Sequence, residues 1–472
     1  MLDGKHTNCY YFSYQNRKRG PAGAARFFCF QNMPTAAYFT LGCKVNQYET
    51  EKIREELERL GFSTVNFGSL ADVYIVNSCA VTGTADAKSR RAIRQAVRRS
   101  PSAFVVATGC YVELEPAAAA GIDGVDLVVG NQEKHLIPER ILARFPNLRT
   151  LGRDRLQILP PRGSPSTASG TCRPRTRTRA IVKVQDGCNQ FCAYCTVPYA
   201  RGRQWSRSLP EVIDEMRALA GFGYKEVVLA GIRLGSYAGG LPRLVRAASE
   251  VEGIERIRLS SIEVWEIDDD LIRAMAESPK VCRHLHVPLQ SGDGRVLGLM
   301  RRPYSPEQYA ETIQKVRENI PGLGLTTDVM VGFPGESEEA FERSRRFVEE
   351  MQFSRLHVFR YSPRPRTEAA GLPDQVPEPE KTRRSRKMME LGIKLQRRFA
   401  QRLVGQTVPV LVESRRTELL AGFTDNYVEV QFAGSDRLRG RIVPIRLDCA
   451  AETGQAFGRV LHREEKEAEG IV

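Results

Sequence analysis

The sequence predicts an α/β chain of three successive folded parts. An N-terminal parallel α/β sheet comes first, then a parallel barrel, full or partial, then a small β-barrel. Three observations predict this. From residue 37 onward, short apolar runs alternate with helical periods, as in parallel sheets joined by helices. Six further strand–helix units occupy roughly 190 residues in the middle, a density that suits a parallel barrel. After residue 405 come the alternating runs TVPVLVE, YVEVQF and GRIVPIRL, the pattern of small all-β barrels.

The bulk numbers agree. A chain of 472 residues suggests about three domains. Its 42% hydrophobic content is ample for ordinary cores. No run approaches the length of about 18 apolar residues that a membrane span needs, so none is expected. Lys plus Arg number 70 against 56 Asp plus Glu, a net charge of +14. Such a surface attracts polyanions, of which nucleic acid is the commonest; an idle basic surface is the competing reading. Eleven cysteines form no even disulfide framework. Cys9, Cys29, Cys172, Cys282 and Cys449 read as free thiols, and reduced thiols point to a cytoplasmic location.

In chain order, residues 1–34 lack both a clear period and the apolar core of a signal peptide. They read as a disordered extension or an over-extended start. A first domain spans 35–150. Its strands are expected at 37–41, 73–76, 104–108 and 125–129, with helices at 48–60 and 85–99. Cys43, Cys79 and Cys110 each lie one to three residues past the end of a strand. In open α/β sheets, sites form beyond those ends, so three distant cysteines can converge there. Taken singly, each is more often a small buried residue. Residues 151–178 read as a Pro-, Ser-, Gly- and Arg-rich linker. Its alternating arginines, Arg173, Arg175, Arg177 and then Arg179, either touch phosphate or are merely solvated.

The central domain spans 179–404. Strands are expected at 181–184, 226–230, 256–260, 284–287, 324–331 and 356–361, with helices between them. The loops after successive strands read AGIRLGSY, SSIE, PLQSGDG and GFPGE. Glycine lets backbone approach a ligand. Within these loops, Glu263 suits a ribose or ammonium, and Gln290 and Ser291 suit a carboxylate or ribose. An Arg/Lys-dense helix follows residue 380, with Met388, Met389, Ile393 and Leu395 as its apolar side. The last module spans 405–468.

The densest chemistry lies at 187–195, GCNQFCAYC, where Cys188, Cys192 and Cys195 stand at C-x3-C-x2-C. Thiolates are the preferred ligands of iron–sulfur clusters, and a four-iron cluster normally takes four of them. Three leave one iron open for chemistry. The competing readings are a zinc knuckle short of its fourth ligand, or three core cysteines. Cys43, Cys79 and Cys110 form a second set of three, again one short.

Read together, TLGCKVNQYETE, NSCAVT, GCYVE, GCNQFCAYC with PYARGR, RLSSIE, HLHVPLQSG and TTDVMVGFPGES closely resemble the methylthiotransferases of the radical S-adenosylmethionine (SAM) superfamily. The resemblance runs from about residue 35 to 461. It implies an α/β N-terminal methylthiotransferase domain, a radical SAM partial (βα)6 barrel and a C-terminal TRAM domain, an OB-like RNA-binding barrel. It also implies two [4Fe-4S] clusters, with Cys188, Cys192 and Cys195 holding the one that cleaves SAM and Cys43, Cys79 and Cys110 holding an auxiliary one. Tyr194, Gly231, Ser261, Glu263, Gln290 and Ser291 are the implied cofactor contacts. SAM cleavage would yield a radical that takes hydrogen from C2 of a modified adenine; the second cluster would supply or hold the sulfur, and another SAM the methyl group.

TLGCKVN is similar to the branch acting on threonylcarbamoyladenosine beside the tRNA anticodon. The isopentenyladenosine branch usually reads YGCQMN there, and the branch acting on a ribosomal protein LGCPKN. The expected partners are therefore a tRNA anticodon stem-loop, an electron donor and a sulfur source, with no membrane, and the expected state is a monomer. An RNA-binding protein with structural metal is the non-enzymatic alternative. Arg360 and Arg366 depart from the family pattern, standing where an apolar residue or proline, and glycine, are expected.

Overall fold

The computed structural model describes residues 33–145 and 177–461. The expected extension, the linker and the chain beyond 461 fall outside the described residues, apart from residues 33, 34, 177 and 178. Five strands, β1 (Thr35–Thr40), β2 (Ser63–Val65), β3 (Val73–Ser78), β4 (Phe104–Gly109) and β5 (Leu127–Val129), pair in parallel in the order β2-β1-β3-β4-β5. The central strand β3 is buried at every position, as a parallel strand covered on both faces must be.

Helix α1 (Lys44–Arg59) starts four residues before its apolar period would place it. Its first turns bury polar residues, Asn46, Glu49 and Thr50. Asn46 Nδ2 donates to the carbonyls of Leu41 (2.8 Å) and Ser78 (2.9 Å), tying the helix start to two strand ends. Helix α2 (Gly83–Arg99) is capped by Thr82, whose hydroxyl accepts from the Ala85 N–H at 3.1 Å. Helix α3 (Cys110–Leu114) begins directly off β4. Strand β5 is shorter than expected because the Val125 N–H closes a turn on the Ile122 carbonyl at 3.1 Å and so begins no ladder.

The middle of the chain holds β6 (Arg179–Lys183), the two-stranded hairpin β7 (Gln185–Asp186) and β8 (Trp205–Ser206), then β9 (Glu226–Ala230), β10 (Arg256–Leu259), β11 (His284–His286), β12 (Gly324–Val331) and β13 (Arg355–Arg360). Two three-stranded parallel sheets, β6-β9-β10 and β11-β12-β13, are joined by parallel bridges Ile257–Val281 and Ser261–His286. The result is a six-stranded partial barrel around one large apolar core. The long helix Glu378–Gln401 packs on β13 and the strands beside it. Of its expected apolar side, Met388 and Leu395 are buried, whereas Met389 and Ile393 are exposed. Glycine explains the choice: Gly392 seats the helix against Leu356, so positions 388, 391, 392 and 395 face inward.

Strands β14 (Thr407–Arg416), β15 (Leu419–Thr424), β16 (Glu429–Ala433), β17 (Ile442–Ala450) and β18 (Ala456–Val460) close a separate barrel in the order β14-β15-β16-β18-β17. Its β15–β16 loop docks on the amino-terminal ends of the central strands. Arg256 donates to the Phe423 and Pro409 carbonyls (3.1 and 2.7 Å), and Arg258 to the Asp425 and Thr424 carbonyls (2.8 and 3.2 Å). The Tyr427 ring packs on His284, with centroids 4.6 Å apart. The foot of the large barrel is thereby closed, and its carboxyl-end mouth is left for the cysteine loops.

Candidate active site

The turns after β1 and β4 bring their cysteines to the end of β3, where Cys79 and Cys110 are buried and Cys43 is exposed. Gly42, at φ +94°, backs onto Cys79 so closely that a Cβ there would lie 2.9 Å from the Cys79 Sγ. Gly109, at φ +99°, has no room for a Cβ against the Ser78 backbone, 2.4 Å away. These two close approaches bring the Cys43 and Cys110 turns against the end of β3, where Cys79 begins. Burial pushes the Cys79 thiol up to about 11, and Cys110 and Cys43 add to the shift. Burial raises Cys110 also, opposed by the nearby Arg201 and Lys134. Buried thiols such as Cys79 and Cys110, with cations beside Cys110 that favour its thiolate, suit a cationic cluster that deprotonates its ligands.

The second trio lies beyond β6 and β7. Gly187, at φ +73°, passes within 2.2 Å (Cβ to carbonyl) of Arg203 and starts the loop. The Cys188 Sγ accepts from the Gln190 N–H at 3.4 Å. Burial, then Cys192, push the Cys195 thiol up to about 12. Arg302, buried against Trp265 and Tyr304, sits 3.6 Å from the Cys192 Sγ. Among the described residues no three His, Cys, Asp or Glu side chains converge closely enough to hold a single metal ion. An all-thiol donor set is the chemistry that four-iron clusters take, one thiolate per iron, and each trio would hold such a cluster with one iron left open.

The two trios face one seam. The helix Val197–Arg201, which follows Cys195, packs on α3, which begins with Cys110. Thr196 Oγ1 donates to the Ala80 carbonyl at 3.4 Å, one residue from each trio. Asn131 Nδ2 donates to the Ala200 carbonyl at 2.7 Å and lies 3.7 Å from the Cys110 Sγ. Beneath runs a buried ionic network. Arg201 bridges Glu49 (3.1 Å) and Asp186 (2.9 Å), Lys183 reaches the same two carboxylates (3.1 and 3.2 Å), and Lys134 reaches Glu49 (2.5 Å). Burial works against the Glu49 carboxylate, but Arg201, Lys134 and Lys183 outweigh it and hold the group well below the usual carboxylate range. Sequence reading assigned no role to these residues, although PYARGR contains Arg201.

The expected cofactor contacts divide. Glu263 grips Arg302, the arginine beside Cys192, and so lies one side chain from the loop. Tyr194 leans on Phe333 at 6.3 Å between ring centroids. Gly231 leaves no room for a side chain beside Gln185 and Leu234, and Ser261 sits in the bridge to His286. Gln290 adopts φ +65° and pairs its backbone with β12. Ser291 is fully buried, its hydroxyl accepting from the Asp293 N–H at 3.2 Å at the turn after Gln290. A cavity of about 440 Å³ opens beside Cys192 and Cys195, rimmed by Phe191, Tyr199, Arg301 and Arg366. Arg366 holds φ +68°, the region that favours glycine. Arg360 is exposed and paired with Glu378 at 2.6 Å. Lys44, next to Cys43, has its ammonium pulled below the usual lysine range by burial and makes no hydrogen bond or ion pair among the described residues.

A partial barrel with a three-cysteine loop at its carboxyl end defines a radical SAM protein. Residues 182–348 match the radical SAM superfamily, and residues 35–130 match the Uncharacterized protein family UPF0004. A solved radical SAM methyltransferase, TsrM from Kitasatospora setae, shares the fold at TM-score 0.53 and 17% identity, over 72% of this chain and 77% of that one. Among curated relatives, the threonylcarbamoyladenosine tRNA methylthiotransferase MtaB of Bacillus subtilis is 40% identical over 88% of this chain and 94% of its own length. The MtaB of Aquifex aeolicus is 38% identical over 87% and 99%. A tRNA-2-methylthio-N(6)-dimethylallyladenosine synthase of Acetivibrio thermocellus is 32% identical over 92% and 90%. The chain belongs to the radical SAM methylthiotransferase family. Among the described residues no helix is long and apolar enough to cross a membrane.

Proposed function

We propose that the protein is a tRNA methylthiotransferase that converts N6-threonylcarbamoyladenosine beside the anticodon to its 2-methylthio derivative. The observation that carries this reading is the meeting of two incomplete thiolate sets across one seam. Cys188, Cys192 and Cys195 would hold one [4Fe-4S] cluster, and Cys43, Cys79 and Cys110 the other. When bound, SAM and the clusters supply hydrogen abstraction and sulfur at an unactivated carbon, chemistry that no side chain can perform. The protein's own residues do the rest. Arg302 and Glu263 fix the floor beside Cys192; Arg201 and Lys134 offset the charge of thiolates at Cys110; the closed foot of the barrel limits water. Tyr194, Gly231, Ser261, Glu263, Gln290 and Ser291 remain the candidates for contact with SAM.

Relatives of the dimethylallyl branch handle an apolar group. The Lys44 ammonium, which has no carboxylate partner among the described residues, suits instead the carboxylate of a threonylcarbamoyl group, which favours the branch named for it. The target base must leave its stack to reach such a site, as a base in an anticodon loop readily does. We place the enzyme in the cytoplasm as a monomer, served by an electron donor and a sulfur source. Nucleoside mass spectrometry of tRNA from a deletion strain tests the reading: the methylthio nucleoside is expected to vanish, and its persistence would overturn the assignment. Anaerobic reconstitution is expected to load about eight irons per chain. Cys192→Ala is expected to lose SAM cleavage, whereas Cys79→Ala keeps cleavage and loses sulfur insertion; identical behaviour of the two variants would contradict the division of roles.

A further inference from the structure

We propose that one exposed stripe of α2, formed by Lys88, Arg91, Arg94 and Arg98, is a phosphate track that holds the substrate RNA strand at the site entrance. The proposal rests on the tRNA reading and adds to it the surface that grips the backbone. These four residues recur at intervals of three to four, so they stand one per turn, about 5 Å apart, along a single face. All four are exposed, while the opposite face of the helix buries Ser89, Ala92, Ile93 and Ala96.

The stripe starts at the chemistry. Ser89, on the first turns of α2, accepts from the Cys79 N–H at 3.1 Å. The Gly83 N–H donates to the Ser362 hydroxyl at 3.1 Å, and Asp86 pairs with Arg364 at 2.5 Å. Two residues beyond Arg364, Arg366 rims the cavity beside Cys192 and Cys195. The helix is thus pinned at its amino end to Cys79 and to the loop that rims the cavity beside Cys192 and Cys195, and its cations lead away from them.

A solvated charge run is the plain alternative, and the other basic helix shows what that looks like here. On Glu378–Gln401, six of the eight cations, Lys381, Arg383, Arg384, Lys387, Lys394 and Arg397, have a carboxylate within 4.0 Å among the described residues, and the two that do not, Arg386 and Arg398, stand more than three turns apart. On α2, none of the four stripe residues has one among the described residues. Four unneutralised cations in a row raise the local potential, which is offset most fully by a polyanion with regularly spaced charges. A nucleic-acid backbone has that form. The β15–β16 loop of the small barrel is meanwhile occupied at the foot of the large one, on the face away from the cysteines.

Binding of threonylcarbamoyladenosine-bearing tRNA to the cluster-loaded full chain, measured across a salt series, tests this. The combined variant Lys88→Gln, Arg91→Gln, Arg94→Gln, Arg98→Gln is expected to flatten the dependence of log K on log salt by about 3 to 4, and Arg94→Gln alone by about 1. Glutamine keeps helix propensity, so thermal unfolding and RNA-free SAM cleavage are expected to match the parent. A control removes the same charge from the other helix: Lys387→Gln, Lys394→Gln, Arg397→Gln, Arg398→Gln. An equal loss in that control, or an unchanged slope in the α2 variants, overturns the track while leaving the tRNA reading intact. If the parent itself does not bind the tRNA, both fall.

Discussion

Glu215 illustrates how single ionisations hold this molecule together. Its carboxylate is met by Lys52 (2.8 Å) and the Tyr48 hydroxyl (3.1 Å), both on α1, and by Arg207 from its own domain. Burial disfavours the charged form, yet Lys52 and Arg207 prevail and lower the group from 4.5 to about 2. A depressed carboxyl contributes stability that is complete above its unfolded value and is lost as pH falls through the folded one. The window therefore runs from about 4.5 down to about 2, and the contribution is about 3 kcal/mol at about 1.4 kcal/mol per unit. Urea unfolding followed over that range is expected to show stability falling with pH in the parent. In Glu215→Gln that share of the slope should be gone, and neutral-pH stability should be lower by a similar amount. Parallel curves for the two proteins would show that the carboxylate contributes nothing.

At the scale of elements, the docking of the small barrel turns on a backbone contact. A Cβ at Gly324, the first residue of β12, would lie 2.0 Å from the Asn426 carbonyl oxygen, which no rotamer change relieves. Gly324→Ala is expected to cost about 1–3 kcal/mol or more, as overpacking does, and to expose the β15–β16 loop to limited proteolysis. Gly298→Ala, in a helix with open space around it, serves as the control and is expected to be neutral or stabilising. Full stability in Gly324→Ala would mean that the loop is not seated as described. The inner parallel strands of the first two parts and three of the five strands of the last were legible as runs rich in β-branched and apolar residues, whereas the short pair β7 and β8 and the barrel strands β15 and β18 were not. The early start of α1 was not, since its first turns bury Asn46, Glu49 and Thr50, polar residues that no apolar period marks. The three-residue edge strand β2 was invisible for a related reason, having no fully buried position. Site cysteines stood out by spacing and by position after strands. The arginines around them did not: Arg201 finds Glu49 across 152 residues of sequence, and a pairing that distant leaves no local pattern.

For the whole molecule, the decisive junction is the one that sets one thiolate trio against the other. At its centre is a buried ionic network: Arg201 is 2% exposed and holds Glu49 of α1 together with Asp186 of the cysteine loop. Removing one partner of such a network strands buried charge, which typically costs about 3–5 kcal/mol, more than the pairing itself is worth. Arg201→Met leaves Glu49 and Asp186 to Lys134 and Lys183 alone. Arg201→Lys keeps the charge, but an ammonium lacks the planar fork that reaches both carboxylates. The expected order of stability is therefore parent, then Lys, then Met. In the Met variant the N-terminal sheet and the large barrel should unfold in separate transitions, because the seam joining them has lost its central cation. Iron held by Cys43, Cys79 and Cys110 should also fall relative to that held by Cys188, Cys192 and Cys195, since Arg201 favours a thiolate at Cys110 and its nearest sulfur neighbours lie on that side. Calorimetry and iron analysis on the three proteins check both statements. A Met variant that unfolds in one step at the parent's temperature with its full iron content would mean that the seam is held by apolar packing, and that the buried network is incidental to the placement of the two sets of cysteines.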